Sequence, residues 1–265
     1  MDITGATRLF AIVGDPVAPL RSPALFNAAF ARLRRDAVFV AIQVAAEDLA
    51  QAWPGLAAIR NLDGLVITMP HKEGVARLLP ALGPTARLTG SVNTVRRRAD
   101  GGLEGEMFDG EGFRDGVERA GHAIAGRRVL QVGCGAAGTA IACALARAGA
   151  AELALNDVTA ARAEALAALL RSNFPGTRAV PAPPYPRGFD IVVNATPLGL
   201  RAGDPLPLDA SGLAAGQLVA DVIPNPEVTP LIAAARALGC ATTTGREMHE
   251  GQARLAAAWL GIEGF

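Results

Sequence analysis

Hydrophobic and polar positions divide the chain into two series in which short apolar runs alternate with helical patterns. The first opens with "RLFAIV" at 8 to 13, a strand candidate. A helix follows in which Ser22 is the N-cap, Pro23 takes the first helical position, and Leu25, Phe26, Ala29, Phe30 and Leu33 form the apolar stripe. "VFVAIQV" at 38 to 44 predicts a second strand, a helix starts from Glu47, "LVIT" at 65 to 68 reads as a third, buried strand, and a short helix follows Lys72. Near residue 91 the rhythm changes. "SVNTVRRR" and "LEGEMF" flank "ADGG" at 99 to 102, and an Asp-Gly turn between two short runs predicts a β-hairpin. "DGEGFRDGVERAG", 109 to 121, then predicts a connecting helix.

The second series begins at Arg127, with strands at 128 to 132, 152 to 155, 189 to 196 and 217 to 223 and helices from Ala136 and Thr159. Strands alternating with helices imply a mostly parallel sheet, so the fold class is α/β with two domains. An N-terminal α/β domain covers 1 to 108, and a doubly wound, Rossmann-type dinucleotide domain covers 109 to 244. The remaining 245 to 265 form a C-terminal helix, centred on 247 to 260, that packs back on the first domain. The proline-rich stretch 180 to 188 reads as a loop, because it lies between elements of one sheet.

Composition narrows the partners. A hydrophobic content of 51% in 265 residues can fill two cores. Lys plus Arg (25) balances Asp plus Glu (25), so no net field draws the chain to nucleic acid or an anionic membrane, and a small-molecule or protein partner is favoured. Cys134, Cys143 and Cys240 are odd in number and lack metal-ligand spacing, which fits a reducing, cytoplasmic setting. His71, His122 and His249 share no ligand spacing either, so no metal is expected. No apolar run approaches the roughly 18 residues of a membrane span, and the N-terminus, with Asp2 and Gly5, has no signal-peptide layout.

"VGCGAAG" places Gly133, Gly135 and Gly138 directly after a strand and at the opening of a helix. That context supplies a tight turn, close backbone approach to a pyrophosphate and a helix N-terminus aimed at negative charge, and it favours dinucleotide binding over an ordinary glycine-rich turn. The second strand ends in "ALND", which puts Asp157 about 20 residues on, where a carboxylate hydrogen-bonds the adenosine ribose and repels a 2′-phosphate. NAD is therefore preferred over NADP, although Asp157 also suits a turn or helix cap and the nearby Arg162 could receive a phosphate. Cys134 stands at a helix N-terminus, a position that can lower a thiol pKa, but reads as a small residue tolerated in the loop.

Eight stretches stand in the order seen in shikimate dehydrogenases: "VGDPVAPLRSP" (13 to 23), "ITMPHKE" (67 to 73), "GSVNTV" (90 to 95), "GEMFDGEGF" (105 to 113), "VGCGAAG" (132 to 138), "NATPLG" (194 to 199), "NPEVTPL" (225 to 231) and "GREMHEGQA" (245 to 253). The chain resembles that family over its whole length. The resemblance implies two α/β domains with the active site in the cleft between them, where Lys72 and Asp109 work as the catalytic pair. It implies that Asn93 and Gln252 hydrogen-bond substrate hydroxyls and that Thr68 and Ser22 contact substrate. It further places Gly133, Gly135, Ala136, Ala137, Gly138, Asn156, Asp157, Asn194, Thr196 and Gly245 around the cofactor. Chemistry supports the catalytic pair independently, because oxidising a secondary alcohol needs a group to take the hydroxyl proton. A monomer and a homodimer both fit.

Departures from the family pattern point to a changed substrate. The family holds the substrate carboxylate with Ser-x-Ser-Pro, whereas here Leu20 replaces the first serine and Ser22 alone survives. Val66 replaces an Asn, Met107 and Phe108 precede Asp109 where the family has Asn-Thr, and Pro224 stands where a Tyr is common. A pocket so altered is less polar and favours a cyclic hydroxy acid related to shikimate or quinate but carrying fewer hydroxyls. Two further readings compete: the ordinary biosynthetic enzyme interconverting 3-dehydroshikimate and shikimate with NADP, and a sensor that binds without turnover. The sensor has no need of both Lys72 and Asp109.

Overall fold

Two sheets, each of six strands, organise the chain in the computed structural model, which describes residues 3–265. The reading of the N-terminus at Asp2 lies outside the described residues. The structure divides into two compact units, one holding the chain up to Phe108 together with Arg254–Phe265, the other Asp109–Ala253.

The first unit contains β1 (Arg8–Gly14), α1 (Ser22–Arg32), β2 (Ala37–Gln43), α2 (Leu49–Ala58), β3 (Leu62–Ile67), α3 (Lys72–Leu78), β4 (Ala81–Leu82), α4 (Pro84–Thr89), β5 (Thr94–Arg97) and β6 (Leu103–Glu106). Its sheet runs in the order β2-β1-β3-β5-β6-β4. β1, β2 and β3 are parallel, while β5 pairs antiparallel with both β3 and β6 across the expected Asp-Gly hairpin. Phe10, Ile12, Phe26, Phe30, Phe39 and Val66 close the core, with Phe26 stacked on Phe39 at 4.6 Å. At the end of this unit, Trp259 packs edge-on against Phe108 and lies 4.3 Å beneath the Arg96 guanidinium, which is itself paired with Glu104.

Local chemistry shifts several expectations. α1 begins at Ser22 itself, with Arg21 in helical conformation before it and no side-chain cap, so Ser22 is the first helical residue and Pro23 the second. The helix expected from Glu47 starts as a 3₁₀ turn at Ala46–Asp48 and becomes α2 at Leu49. β4 and α4, of two and six residues, are too short to leave a periodic signal. The Glu106 carboxylate, 8% exposed, anchors α4 by accepting the Ala86 N–H at 2.7 Å.

The second unit contains α5 (Asp109–Arg119), β7 (Arg128–Val132), α6 (Ala136–Arg147), β8 (Glu152–Asn156), α7 (Ala160–Asn173), β9 (Arg178–Pro181), β10 (Ile191–Asn194), β11 (Leu218–Asp221), α8 (Pro230–Ala237), β12 (Ala241–Thr243) and α9 (Gly245–Trp259), the last running on into the first unit. All neighbours in β12-β11-β10-β7-β8-β9 are parallel, and the strand order reverses between β7 and β10. Such a reversal opens a crevice at the strands' carboxyl ends, the usual ligand position in an α/β sheet. The stretch read as a loop from 180 supplies the end of β9, where Pro181 is tolerated because an edge strand has no neighbour on one side. β12 is likewise an edge strand, and its three residues carry too little alternation to announce it.

α5 meets α9 through glycine. A Cβ on Gly112 would lie 2.5 Å from the Gln252 backbone N and 2.8 Å from its Cα, so no side chain fits unless the helices part. Gly112→Ala is expected to destabilise the protein by about 1–3 kcal/mol through this overpacking. Thermal unfolding of the variant beside the wild type measures it, and an unchanged midpoint would contradict the close approach.

Candidate active site

In the first unit, polar groups gather after β3. Thr68 caps that strand's end, and the cis Met69-Pro70 bond turns the chain into His71 and Lys72. His71 is buried, and its Nε2 donates to the Val44 carbonyl at 2.7 Å, a partner that can only accept. Lys72 is the half-buried first residue of α3, and its own carbonyl accepts the Val92 N–H at 3.0 Å. Asn93, 0% exposed, is bound on several sides: its carbonyl accepts Ile67 N–H, its N–H donates to Glu106, and its Oδ1 accepts the Phe108 N–H at 3.0 Å and the Thr94 hydroxyl. Glu106 accepts the next amide, that of Met107, at 2.8 Å. Two buried side chains thus hold the two peptides that lead to Asp109, itself buried and the first residue of α5.

Leu20 is half-buried against the Phe10–Phe26 cluster, whereas Ser22 is buried with its hydroxyl unused in capping. Val66 and Met107, read as polar-to-apolar changes of the pocket, are instead core residues, 6% and 1% exposed, and Val66 belongs to the same cluster. Their apolarity is explained by packing. Leu20, Phe108 and Pro224 remain as departures at half-buried positions.

In the second unit, the glycine loop runs from β7 into α6. Gly133 has φ +103, and a Cβ there would lie 2.6 Å from Ala195 C, so only glycine fits the turn. A Cβ on Gly138 would strike the Gly133 carbonyl oxygen at 2.2 Å, while one on Gly135 would meet nothing within 4 Å. The loop is closed on its inner side and open at Gly135, Ala136 and Ala137, where the uncapped N–H groups of a twelve-residue helix begin. This cradle fits a pyrophosphate. Asp157, at the end of β8, accepts from Cys134 N at 2.8 Å and Thr159 N at 2.9 Å, and a carboxylate with four lone-pair sites retains acceptor capacity for a ribose. Asn156 reaches the Ala182 carbonyl, and Arg162 is exposed on the first turn of α7. Burial, with the Asp157 carboxylate adding to it, pushes the Cys134 thiol up to about 12, so the helix N-terminus does not activate it.

Across the sheet reversal, Asn194 ends β10 and ties its own loop: Oδ1 accepts the Thr196 N–H and hydroxyl, and Nδ2 donates to the Leu198 carbonyl and to Asp221. Asp221, 1% exposed at the end of β11, also accepts from Thr229 Oγ1 and Ile223 N. Burial raises its pKa against the lowering effect of those bonds. Gly245 is the buried first residue of α9, and Gln252 lies half-buried two turns along. The Thr244 hydroxyl and N–H both donate to Glu247 Oε2, as in a capping box. Glu106, Gln131 and Asp221 escaped sequence reasoning, because each joins groups that meet only in the folded chain: the Ala86 amide, the Gly133 and Gly138 carbonyls, and the Asn194 and Thr229 side chains; a polar residue inside an apolar strand was the available signal at Gln131.

Known proteins place this geometry in context. The family described as the shikimate dehydrogenase substrate binding domain matches residues 12–95. A shikimate dehydrogenase (NADP(+)) from Geobacter metallireducens is 38% identical over 99% of this chain and 94% of its own length. The ligand-free 5-ketofructose reductase of a Gluconobacter strain superposes with a TM-score of 0.85 at 34% identity, covering 97% of this chain and 94% of that one. Quinate dehydrogenase from Corynebacterium glutamicum, in complex with NAD, gives 0.84 at 33% identity, covering 97% and 95%.

Two expectations follow from the titrating groups. All three cysteines are buried and their thiols raised, those of Cys134 and Cys143 to about 12. A thiol reagent at pH 8 should therefore label none in the native protein and three after denaturation; rapid labelling of native Cys134 would contradict the site as described. For Glu247, burial is the largest single influence and raises the carboxyl, but the Thr244 bonds, its own backbone N–H and the nearby Arg246 charge together hold it below its ordinary 4.5. A depressed folded pKa gives stability that is present above 4.5 and lost as pH falls through the folded value. Glu247→Gln should be less stable than wild type at pH 7, with the gap closing under acid; a gap independent of pH in denaturant titrations would refute the assignment.

Proposed function

Because this chain belongs to the shikimate dehydrogenase family of NAD(P)-dependent oxidoreductases acting on CH–OH groups, we propose that it transfers a hydride reversibly between a nicotinamide dinucleotide and a ring hydroxyl of shikimate, quinate or a related, less polar cyclic hydroxy acid. The observation that carries this reading is the retention of Lys72 and Asp109 as the first residues of α3 and α5, with Asn93 holding the peptide before Asp109. Oxidation of the alcohol removes a hydride from carbon and a proton from oxygen; the bound nicotinamide supplies the hydride acceptor. Lys72 hydrogen-bonds the reacting oxygen and takes its proton, with Asp109 sharing in the proton transfer. Asn93, Gln252, Thr68 and Ser22 hydrogen-bond the neighbouring substrate oxygens, while Leu20 and Phe108 line the apolar side.

The loop of Gly133, Gly135, Ala136, Ala137 and Gly138 holds the pyrophosphate, Asn156 and Asp157 border the ribose, and Asn194, Thr196 and Gly245 border the nicotinamide. Residues 1–108 bind substrate, 109–244 the dinucleotide, and 245–265 form the C-terminal helical segment. Asp157 supports NAD, since a 2′-phosphate beside its carboxylate would be repelled. Three free, buried cysteines support a cytoplasmic setting.

Leu20 is the main support for a changed substrate: a leucine packed on the core cannot hydrogen-bond a carboxylate. The second reading is the biosynthetic NADP enzyme, favoured by the name of the Geobacter relative.

Steady-state assays crossing NAD and NADP with shikimate, quinate and simpler cyclic hydroxy acids decide between them. Weak shikimate turnover, faster with NAD, is expected, and Lys72→Ala should lower kcat on the best substrate by about 10²–10⁴. Efficient shikimate turnover with NADP would establish the second reading, and an undiminished Lys72→Ala would overturn the catalytic assignment.

A further inference from the structure

Gln131 is an amide in the middle of an apolar strand. It lies in β7 between Leu130 and Val132, is 0% exposed, and its neighbours in the sheet are Leu155 and Val193. Its Nε2 donates to the carbonyl oxygens of Gly133 and Gly138, each at 2.9 Å. Both neighbours can only accept, so chemistry dictates which end of the amide faces them. The other end, Oε1, is buried with no hydrogen-bond partner among the described residues.

These contacts clamp one peptide from two sides. The Gly133 carbonyl is held by Gln131, and the N–H of the same peptide, that of Cys134, donates to Asp157 Oδ2 at 2.8 Å. The Gly133 N–H is bound in turn to the Asn156 carbonyl at 2.7 Å. The bond to Gly138 ties the first turn of α6 back to β7, and a Cβ on that glycine would come within 3.2 Å of Gln131 Nε2. The amide therefore fills the inner side of the loop and sets the direction of the N–H groups on the outer side.

We propose that Gln131 is a positioning residue for dinucleotide binding, acting through the Gly133–Cys134 peptide and the first turn of α6. The proposal rests on the reading that the Gly133–Gly138 loop takes the dinucleotide. An apolar side chain of similar shape would spare the Oε1 atom but leave the Gly133 carbonyl without its donor, so the amide is needed to hold this peptide in place. Loop geometry is what an apolar replacement cannot supply.

The test compares wild type with Gln131→Met and Gln131→Leu in thermal unfolding, in fluorescence titrations with NADH and NADPH, and in steady-state kinetics. The expected result is a folded variant whose melting temperature falls by no more than a few degrees, a Kd for the preferred dinucleotide raised about tenfold or more, and kcat and the carbon-substrate KM at saturating dinucleotide changed less than about threefold. Unchanged dinucleotide affinity in a folded variant would overturn the proposal, and so would failure of both variants to fold, since the role would then be structural. Gly138→Ala separates the parent reading, because its Cβ would strike the Gly133 carbonyl directly. Wild-type dinucleotide affinity in Gly138→Ala would reject the loop as the binding site and the proposal with it. Weakened binding in Gly138→Ala beside normal binding in the Gln131 variants would reject the proposal alone.

Discussion

Everything at the candidate site depends on one constraint: backbone amides and carbonyls removed from water at the ends of strands must still find partners. Strands pair their own groups, but the loops that follow them have no ladder. Here buried side chains replace it. Asn93 holds the Phe108 amide, Glu106 the Met107 amide, Gln131 the carbonyls of Gly133 and Gly138, Asn194 the Thr196 amide and the Leu198 carbonyl, and Asp221 the Ile223 amide. Each of these side chains is itself almost fully buried, so its bonds are shielded from competing water. Segments that would otherwise sample many conformations are restricted to one, which is the condition for a loop to present chemistry.

The same constraint explains which departures from the family pattern are tolerated. Asn93, Lys72 and Asp109 belong to the ordered frame, and the frame is complete. Met107 and Val66 changed type at positions facing the core, where apolarity is no penalty. Leu20, Phe108 and Pro224 differ at half-buried positions where no backbone group depends on their side chains, so substitution there leaves the backbone geometry standing. Phe108 shows the division within a single residue. Its amide is bound by Asn93, whereas its ring packs against the edge of Trp259.

Much was legible from the sequence because its signals are local. The alternation of strands and helices, the Asp-Gly hairpin and the glycine loop each rest on neighbouring residues whose conformational preferences act over a few positions, and all three appear where their patterns stand. β4, α4, β9 and β12 were not legible, since two to six residues carry no period and their existence follows from docking against a sheet already formed. Ser22 illustrates the boundary: its type suits an N-cap, yet the helix begins one residue early.

By itself, then, the sequence determined the α/β class, the order of the longer strands and helices in each series, the family, and the residue types at the chemical positions, all consequences of short-range propensity and spacing. Only the tertiary structure decided which polar groups are joined. Gln131 reaching Gly138, Glu106 reaching Ala86, and Asp221 gathering Asn194 and Thr229 are meetings between positions 7 to 27 residues apart. They exist because burial leaves those groups no other partner, and burial is a property of the packed chain.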